Sequence, residues 1–590
     1  MDKDLKVGER EQNLVPCKFA CPARIDVPRY VNLVAQGRFA DAVAVVREKV
    51  PFASVLGHAC ARPCEKVCRR REVNEAVAIC GLKRFAVDNS DSQLETVSVE
   101  AQQTGKRVAV MGSGPSGLTA AYYLAKLGHS VTIFEALPSL GGMMRYGVQE
   151  YRLPKSVLER DLQRILQSGI DVKTGTAVHE SLSLKELKAQ GYNAILVAVG
   201  LQKSRILPVE GSNNPDVLGG LDLLRDVRLG KEVKVKSHVL VVGGGSVAMD
   251  AALTALRLGA DKVDMVCLEK PEEMPAFPWE IQQGVEEGIS IHNSCGVKRV
   301  LVDQNQKVSG IELIRCSSVF DREGKFNPSY DESVSKIMPA EMIVFAIGQA
   351  SELAGLSDLE PIKVKRSGTI EVNDSTLETS IAGVFSCGDV VKGPGSIVEA
   401  IALGRRAASS IDRYLGGDGN IDEVLVSVEK PSHWLGREEG FALRCRAVMP
   451  NLPVAQRQRN FAEVALGFDD RTAKSEAQRC LHCDLRLQIR QPMLPPEKWI
   501  SFNVENAAKV PECEGVFQLL DDKKMVIYIK GAINLRREIM EQVASNRDAL
   551  FFLYEEAKMF TMRESELLQQ FMKKHGKMPT QNVGLEEDLY

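Results

Sequence analysis

Residues 106–135 read KRVAVMGSGPSGLTAAYYLAKLGHSVTIFE, and this stretch decides the fold. An apolar strand leads into a glycine-rich turn, then a segment with helical spacing, then a second strand that ends at Glu135. Gly112, Gly114 and Gly117 have the spacing of a dinucleotide-binding turn, in which glycines permit the tight turn, the approach of a pyrophosphate and close helix–strand packing. Glu135 lies where an acidic side chain can bind ribose hydroxyls. The stretch predicts a Rossmann-like lobe.

The same pattern returns in residues 237–269, SHVLVVGGGSVAMDAALTALRLGADKVDMVCLE. Gly243, Gly245 and Ala248 follow the first strand, and Glu269 follows the second, with Lys270 next to it. The alternative is that the glycines only allow close packing and bind no ligand. Two such motifs in one chain make this alternative hard to maintain. The two openings therefore predict an α/β protein with two dinucleotide-binding lobes.

Composition is that of a globular protein. The chain has 590 residues, 44% hydrophobic and 26% charged, with 75 Lys+Arg against 78 Asp+Glu and a net charge of −3. This length predicts about three to five domains. No apolar run approaches the roughly 20 residues of a membrane helix, and the N-terminus is charged. We therefore expect a cytoplasmic protein with no nucleic-acid partner and no membrane span.

The 14 cysteines are unevenly distributed. Eight of them form two groups, which are Cys17, Cys21, Cys60, Cys64, Cys68 and Cys80 near the N-terminus, and the CxxC pair Cys480 and Cys483. Clustered thiols in a cytosolic chain indicate metal or redox chemistry. Thiolates are the ligands of iron–sulfur clusters, and two [4Fe–4S] clusters need about eight of them. Zinc is the competing interpretation, although its sites usually show paired CxxC or CxxH spacing, and inert buried thiols are the third.

A further strand and helix indicate which nucleotide each lobe binds. TSIAGVFSCGD, residues 379–389, ends at Gly388 and Asp389, and a helix follows from Ser396, while Gly200 and Gly348 close two other strands. This arrangement resembles the second flavin motif of two-dinucleotide flavoproteins. The resemblance implies FAD at the first lobe and a nicotinamide cofactor at the second. It adds these candidate cofactor-binding residues: Gly142, Gly200, Gly348, Gly388, Asp389 and Ser396.

The segments PCKFACPARIDVPRYVNLVAQGRFADA, GHACARPCEKVCRR and VAICGLKRFA closely resemble the N-terminal cluster domain of the glutamate synthase small subunit and of dihydropyrimidine dehydrogenase. With the two lobes, the resemblance covers roughly residues 10–415. It implies two [4Fe–4S] clusters that carry electrons between FAD and a partner. The chain is then an electron-transfer subunit of a larger complex, delivering to redox partner subunits or a ferredoxin.

The chain departs from that family at three positions. Glu9 and Gln12 lie where the family has a further CxxC, and Lys83 aligns with a Gln or Glu ligand of some members. The sequence Leu268-Glu269-Lys270 replaces a frequent Tyr-Arg-Arg that holds the 2′-phosphate of NADP. We therefore expect NAD(H) to be preferred over NADP(H), because Glu269 can accept hydrogen bonds from both ribose hydroxyls and would repel a phosphate.

The missing upstream CxxC leaves two clusters two thiolates short, and EAQRCLHCD offers a replacement. We expect one cluster to be held by Cys17, Cys68, Cys480 and Cys483, and the other by Cys21, Cys60, Cys64 and Cys80. The neighbouring Arg479, His482 and Arg486 would favour thiolates at the CxxC. A separate zinc hairpin at that CxxC is the alternative.

The C-terminal segments GVFQLL, VIYIKGAINLRR and RESELLQQFMKKHGKMP resemble a GIY-YIG nuclease module. Phe517 and Lys530 replace its first tyrosine and a glycine, Tyr528 and Arg536 remain, and the glutamate position falls near Leu568, with Glu564 and Glu566 displaced. These changes favour a docking module over a nuclease. No constellation of His, Ser or carboxylate residues predicts an organic substrate site, so no catalytic residue is assigned.

The expected organisation follows from these motifs and from the resemblance to two-dinucleotide flavoproteins, which implies the discontinuous FAD domain and the NAD(P) domain inserted in it. It comprises a helical iron–sulfur domain at 1–99, a discontinuous FAD domain at 100–225 and 365–415, and an NAD(P) domain at 226–364. A connector at 416–496 carries the CxxC, and a small α/β domain occupies 497–590. The alternatives are a stand-alone NAD(P)H dehydrogenase that reduces quinones or ferric compounds, and a C-terminal nuclease with a flavin redox sensor.

Overall fold

A computed structural model describes residues 15–90, 102–177, 183–353, 362–428, 441–484 and 499–582. The chain forms two compact units. The larger consists of Cys17–Ser427 and Cys445–Cys480, and the smaller of Met1–Pro16, Val428–Arg444 and Leu481–Tyr590.

The N-terminal part of the larger unit is helical, as its apolar spacing predicts. Apolar residues at intervals of three to four give α2 one buried face, formed by Val27, Val31 and Val34. Residues 91–101, which follow this helical part, lie outside the described residues. The helices are α1 Pro16–Ala20, α2 Val27–Ala35, α3 Phe39–Arg47, α4 Ala53–His58, α5 Pro63–Lys66 and α6 Ile79–Asn89, with a 3₁₀ turn at Arg69–Glu72.

Alternating strands and helices follow. In chain order they are β1 Arg107–Met111, α7 Pro115–Lys126, β2 Ser130–Phe134, α8 Met143–Tyr146, α9 Lys155–Leu166, β3 Asp171–Lys173, α10 Leu184–Ala189, β4 Ala194–Val197, β5 Lys203–Ser204, β6 Val217–Gly219, α11 Gly220–Arg228, β7 His238–Val242, α12 Ser246–Arg257, β8 Lys262–Val266, α13 Pro278–Glu286, β9 Ser290–His292, β10 Cys295–Val302, β11 Val308–Phe320, β12 Phe326–Pro339, β13 Met342–Phe345, β14 Gln349–Ala350, β15 Val384–Ser386, α14 Asp389–Lys392 and α15 Ile397–Tyr414.

These strands build two parallel five-stranded sheets, one for each predicted lobe. Their strand orders are β15-β4-β1-β2-β3 and β6-β13-β7-β8-β9. The central strands are buried along their whole length, as in AILV of β4 and MIVF of β13, because helices cover both faces of such sheets. An antiparallel sheet, β10-β11-β12, is inserted in the second lobe, and β5 pairs with β14. The predicted α/β fold with two Rossmann-like lobes is confirmed.

Strand pairing places the boundary between the lobes at an earlier residue than the boundary at 225/226 that we expect from the sequence. β6 pairs with β13 and so belongs to the second sheet, and α11 crosses the predicted boundary. β15 returns to the first sheet beside β4. The local pattern does not reveal this because β6 is three residues long and its partner lies more than a hundred residues away.

The connector contributes α16 Val454–Arg457 and α17 Asp470–Ala477 to the larger unit. The Asp469 carboxylate accepts a hydrogen bond from the Thr472 amide at 2.7 Å and caps α17. This helix leads into Cys480.

The smaller unit contains an antiparallel sheet with the order β16-β19-β17-β18. Its core includes Phe517, Leu519, Ile539 and Phe552. Its elements are β16 Ile500–Ser501, α18 Val504–Ala507, β17 Gly515–Leu520, β18 Val526–Ala532, α19 Leu535–Ser545, β19 Phe551–Glu556 and α20 Phe560–His575. Across the described part of the chain, no helix has the length and apolar character needed to cross a membrane.

Candidate nucleotide and iron–sulfur sites

The first glycine-rich turn lies between β1 and α7, and each of its glycines meets a steric requirement. Gly112 has φ +99°, and a Cβ there would lie 2.6 Å from the Ala198 carbonyl oxygen. A Cβ on Gly117 would lie 2.1 Å from the Gly112 carbonyl oxygen. No atom lies within 4 Å of the Cβ position of Gly114, which opens onto a cleft. This is the space that a pyrophosphate needs next to a helix N-terminus.

Glu135 lies at the end of β2 and lines the same cleft. Its carboxylate accepts three hydrogen bonds, from the Ser113 amide at 2.9 Å, the Ser113 hydroxyl at 2.5 Å and the Leu137 amide at 2.8 Å. A carboxylate has about four acceptor positions, so these contacts orient Glu135 and leave capacity for a ribose hydroxyl. Gly142, with φ +51°, packs against this turn, since a Cβ there would lie 2.7 Å from the Gly114 Cα.

The predicted second flavin motif meets the first lobe at α7. Gly388 has φ +81°, and a Cβ there would lie 2.5 Å from the Ser116 hydroxyl oxygen. Asp389 follows at the start of α14, where burial raises the pKa of its carboxyl to about 7. Asp389, Ser396 and Gly200 all line the cleft.

Ser396 also has a structural role. It caps α15, since its hydroxyl accepts from the Glu399 amide at 3.4 Å and its own amide donates to the Glu399 carboxylate at 2.9 Å. α15 packs directly on α7 because Gly404 has no side chain, as a Cβ there would lie 2.3 Å from the Ser116 carbonyl oxygen. The sequence alone does not identify Gly404, although a glycine inside a helical pattern is a signal of close packing.

The second glycine-rich turn, between β7 and α12, repeats this geometry. Gly243 has φ +139°, and a Cβ there would lie 2.4 Å from the Ala346 carbonyl oxygen. At Gly245 the nearest side-chain atom to a Cβ is 3.9 Å away, on Pro275. Ala248, at the third position, is fully buried. Gly348, with φ +119°, is not among the residues that line the cleft. Its carbonyl oxygen accepts a hydrogen bond from the Arg205 amide at 3.1 Å.

Glu269 and Lys270 lie beyond the residues that line the cleft. The Glu269 carboxylate lies beside the second turn, 2.7 Å from the Cβ position of Gly244. Lys270 is exposed, and its ammonium lies 3.8 Å from the Glu273 carboxylate. An acidic group therefore lies at the turn, and the lysine ammonium lies beside Glu273.

One cleft of about 990 Å³ joins the parts of the larger unit that carry predicted chemistry. Gly114 of the first turn and Gly245 of the second turn both line it. So do Cys60, Pro63 and Lys66 of the cysteine-bearing loop. The cleft brings two nucleotide-type turns and this loop to a single space.

Aromatic contacts hold the cysteine loop against the second lobe. Arg62 lies between Cys60 and Cys64, and its guanidinium lies 4.4 Å from the ring centre of Trp279. Trp279 is stacked on Phe277 with a centroid distance of 4.6 Å, and the Lys66 ammonium lies 5.3 Å from Phe277. These cation–π contacts link the helical domain to the start of α13.

A polar network joins the two lobes. Arg152, in the loop before α9, pairs with Asp250 of α12 and Glu280 of α13, each at 2.7 Å. The Tyr151 hydroxyl donates to the other Asp250 oxygen at 2.8 Å. Both carboxylates are buried.

Three of the predicted ligands line one small cavity in the helical domain, and a fourth, Cys80, is hydrogen-bonded to one of them. Cys21, Cys60 and Cys64 line it together with Tyr30 and Lys83. A hydrogen bond with the Cys80 thiol lowers the pKa of Cys60 to about 7 and raises that of Cys80. These cysteines form the second group of ligands expected from the sequence, and four soft sulfur donors suit an iron–sulfur cluster.

The other four predicted ligands are distributed over both units. Cys17 is buried in α1, Cys68 precedes the 3₁₀ turn, and Cys480 follows α17, all in the larger unit. Cys483 is half-buried in the smaller unit. Within the described residues, no group of three or more His, Cys, Asp and Glu side chains is arranged to hold a single metal ion. The assignment of all eight ligands remains a prediction.

The expected cationic surroundings of the CxxC are only partly present. Burial lowers the pKa of His482 to about 4, which opposes the positive charge expected of this ring. Arg486 lies outside the described residues. Arg479 is almost fully buried and donates to the Asn74 side chain at 3.0 Å and to the Glu75 carbonyl at 2.8 Å. Its charge anchors the connector to the helical domain.

In the smaller unit, the residues of the suspected nuclease module are engaged elsewhere or buried. Arg536 donates to the Val510 carbonyl and pairs with Glu512, each at 2.6 Å. Glu564 accepts a hydrogen bond from the Gly531 amide at 3.0 Å. Leu568, near which the nuclease glutamate position falls, is buried in the core.

Comparison with known proteins identifies the class. The profile of the pyridine nucleotide-disulphide oxidoreductase family matches residues 76–186 and 106–404. The profile described as dihydropyrimidine dehydrogenase domain II, 4Fe–4S cluster, matches residues 12–94. Both matches end before the smaller unit's sheet, so they give the GIY-YIG resemblance no support.

The chain aligns with most of the length of three curated relatives. The beta subunit of NADP(+)-dependent formate dehydrogenase from Moorella thermoacetica is 36% identical over 503 residues, which cover 79% of this chain and 70% of that protein. The NADPH-Fe(3+) oxidoreductase subunit beta from Geobacter sulfurreducens is 33% identical, covering 79% and 75%. The NAD-dependent dihydropyrimidine dehydrogenase subunit PreT from Escherichia coli is 33% identical, covering 68% and 91%.

These matches define an NAD(P)H oxidoreductase with an FAD-binding type of fold and a 4Fe–4S domain. The chain belongs to the pyridine nucleotide-disulphide oxidoreductase family, in the group that carries the dihydropyrimidine dehydrogenase type of 4Fe–4S domain.

Proposed function

We propose that this chain is the electron-transfer subunit of a larger complex. It would exchange hydride between a nicotinamide nucleotide and FAD, and pass electrons singly through two [4Fe–4S] clusters to or from a partner subunit or a ferredoxin. The observation that carries the proposal is the cleft lined by Gly114, Gly245 and Cys60. When bound there, FAD supplies the hydride chemistry and the conversion between two-electron and one-electron transfer.

The residues of the cleft have distinct roles in this proposal. Gly112, Gly114 and Gly117 would receive the FAD pyrophosphate, with Glu135 binding its ribose. Gly243, Gly245 and Ala248 would receive the nicotinamide nucleotide. Asp389 would contact the ribityl chain, and its position at the start of α14 beside the cleft supports that role. The protein's contribution is orientation and exclusion of water.

We assign one cluster to Cys21, Cys60, Cys64 and Cys80, and the other to Cys17, Cys68, Cys480 and Cys483. The grouping of the first four around Lys83 supports the first assignment. The anchoring of the connector by Arg479, next to Cys480, supports the second.

An iron count on the full-length protein tests this assignment. Changing Cys480→Ser and Cys483→Ser together should lower iron from about eight to about four per chain, because one of two [4Fe–4S] clusters is lost. FAD should remain bound. The matched control removes two cysteines outside the predicted ligand set, Cys445→Ser with Cys513→Ser, and should keep full iron. Full iron in the Cys480/Cys483 variant would end the assignment.

We propose a preference for NAD(H) over NADP(H). The carboxylate of Glu269 beside the second turn supports it, because it can accept from both ribose hydroxyls and would repel a 2′-phosphate. Relatives named for each nucleotide exist, so the ratio of kcat/KM for NADH and NADPH must be measured. A tenfold advantage for NADPH would overturn this preference. Glu269→Gln should weaken the discrimination against NADPH.

Partner subunits are the favoured electron acceptors, since the relatives are named as subunits. Purification of the native protein with its bound partners tests this. The name of one relative, NADPH-Fe(3+) oxidoreductase subunit beta, favours ferric compounds as a second candidate acceptor. Rapid reduction of a ferric chelate or quinone by the isolated chain would favour that stand-alone activity. A cytoplasmic location stays a prediction.

We propose that the smaller unit serves docking and has no nuclease activity. The contacts of Arg536 with Val510 and Glu512 support this, because they hold the guanidinium in a structural role. Purified protein incubated with plasmid DNA and Mg²⁺ or Mn²⁺ should leave the plasmid intact. Metal-dependent nicking that Arg536→Ala abolishes would contradict the proposal.

A further inference from the structure

Lys83 is a buried cation among four cysteines. It lies on α6, one turn after Cys80, and is 5% exposed. Its side chain borders the small cavity lined by Cys21, Cys60 and Cys64. Cys80 is hydrogen-bonded to Cys60, so Lys83 and the four cysteine side chains lie in one small region of the helical domain. An ammonium group in this place is a positive charge beside the expected ligands.

The chemistry of lysine separates Lys83 from the ligands around it. An ammonium group has three donors and no acceptor, so it cannot bind iron. A [4Fe–4S] cluster with four thiolates carries net negative charge, and one-electron reduction adds another negative charge. A nearby cation in a medium of low dielectric therefore stabilises the reduced form more than the oxidised form.

We infer that the positive charge of Lys83 raises the reduction potential of the cluster held by Cys21, Cys60, Cys64 and Cys80. Lys83 binds no iron and acts on the cluster electrostatically. This inference rests on the proposed function, which assigns these cysteines to a cluster. The loop that carries Cys60 lines the cleft that is proposed to hold the flavin, so the affected cluster borders that cleft. A higher potential makes that cluster a better acceptor of electrons from reduced flavin.

Three variants of the full-length, reconstituted protein separate charge from structure. Lys83→Met removes the charge and keeps most of the side-chain length, whereas Lys83→Arg keeps the charge. Lys185→Met is the control, because Lys185 is exposed on α10 of the first lobe. The measurement is a redox titration followed by electron paramagnetic resonance, together with iron and sulfide content. Comparison with the Cys480→Ser, Cys483→Ser protein identifies which signal belongs to this cluster.

We expect Lys83→Met to keep iron and flavin and to lower the ratio of reduced to oxidised cluster, at a given potential, by at least tenfold. This corresponds to a midpoint about 59 mV more negative for one electron. Lys83→Arg and Lys185→Met should stay close to the parent. This pattern would support tuning by charge, and restoration by arginine is a result that a purely structural role would not produce.

Two results would overturn the inference. The first is an unchanged midpoint in Lys83→Met with full iron content. The second is loss of about four iron atoms in Lys83→Met, because the lysine would then be needed to hold the cluster. Failure of the proposed function looks different: Cys64→Ser would then leave the iron content of the protein unchanged, whatever the Lys83 variants do.

Discussion

Replacing Arg479 with alanine should release the end of α17 from the helical domain. The Arg479 guanidinium donates to Asn74 at 3.0 Å, to the Glu75 carbonyl at 2.8 Å and to the Glu476 carboxylate at 2.7 Å. Arg479 and Glu476 are each 1% exposed. Removing one partner of a buried ion pair costs about 3–5 kcal/mol, because the other charge stays buried. Glu476 keeps two backbone amide donors, so we expect about 3 kcal/mol, the lower end of that range.

Hydrogen exchange followed by mass spectrometry measures this opening directly. A cost of about 3 kcal/mol raises the open population roughly a hundredfold. Amides of 472–480 should therefore exchange about a hundredfold faster in Arg479→Ala than in the parent. Arg471→Ala, on the exposed side of the same helix, is the matched control and should stay within about threefold, as surface substitutions do.

Exchange within threefold of the parent in Arg479→Ala would refute the reasoning, because the buried pair would then contribute little to anchoring α17. Iron content adds a second readout. If Cys480 is a ligand, loosening its anchor should lower iron occupancy in Arg479→Ala and leave it unchanged in Arg471→Ala. Metal binding and the long-range folding of the connector would then be coupled.

Three further predictions concern the cleft. Gly117→Ala should lose FAD, seen as lost flavin absorbance, because its Cβ would lie 2.1 Å from the Gly112 carbonyl oxygen; stoichiometric flavin would contradict this. Trp279→Ala should raise hydrogen exchange in the Arg62 loop about two- to fivefold, as loss of a cation–π contact of about 0.5–1 kcal/mol predicts; unchanged exchange would rule the contact out as a clamp. Burial raises the pKa of Asp389 to about 7, so the folded, flavin-free protein keeps a proton that the unfolded chain releases above about pH 3.9. The free energy of unfolding should then fall as pH rises from about 4 to about 7. If it falls no more steeply in the parent than in Asp389→Asn, the pKa of Asp389 is not raised.

The glycine turns could be predicted from sequence because their requirements are local. Gly112 and Gly243 each need a backbone conformation that other residues rarely adopt, and each follows a strand of apolar residues. The spacing to Glu135 and Glu269 is set by the length of one helix and one strand. Such features are fixed within about 25 residues of chain, so a single sequence carries them.

Contacts between distant segments could not be predicted. Arg479 and Asn74 are 405 positions apart, and no pattern near either residue names the other. The same holds for Arg62 and Trp279. The smaller unit shows the same limit. The sequence assigns no contact to Glu564, whereas folding brings its carboxylate to the Gly531 amide.

The network around Arg152 bears on how the two lobes act during turnover. Arg152 belongs to the first lobe, and its partners Asp250 and Glu280 belong to the second. Moving one lobe away from the other would break both ion pairs, and two carboxylates that are buried in this orientation would have to be hydrated in place of their cation. A large rotation in every cycle would incur that cost each time, whereas both glycine turns already open onto the same cleft. We therefore expect hydride exchange to occur in the lobe orientation that this network holds, with movements confined to the cleft walls.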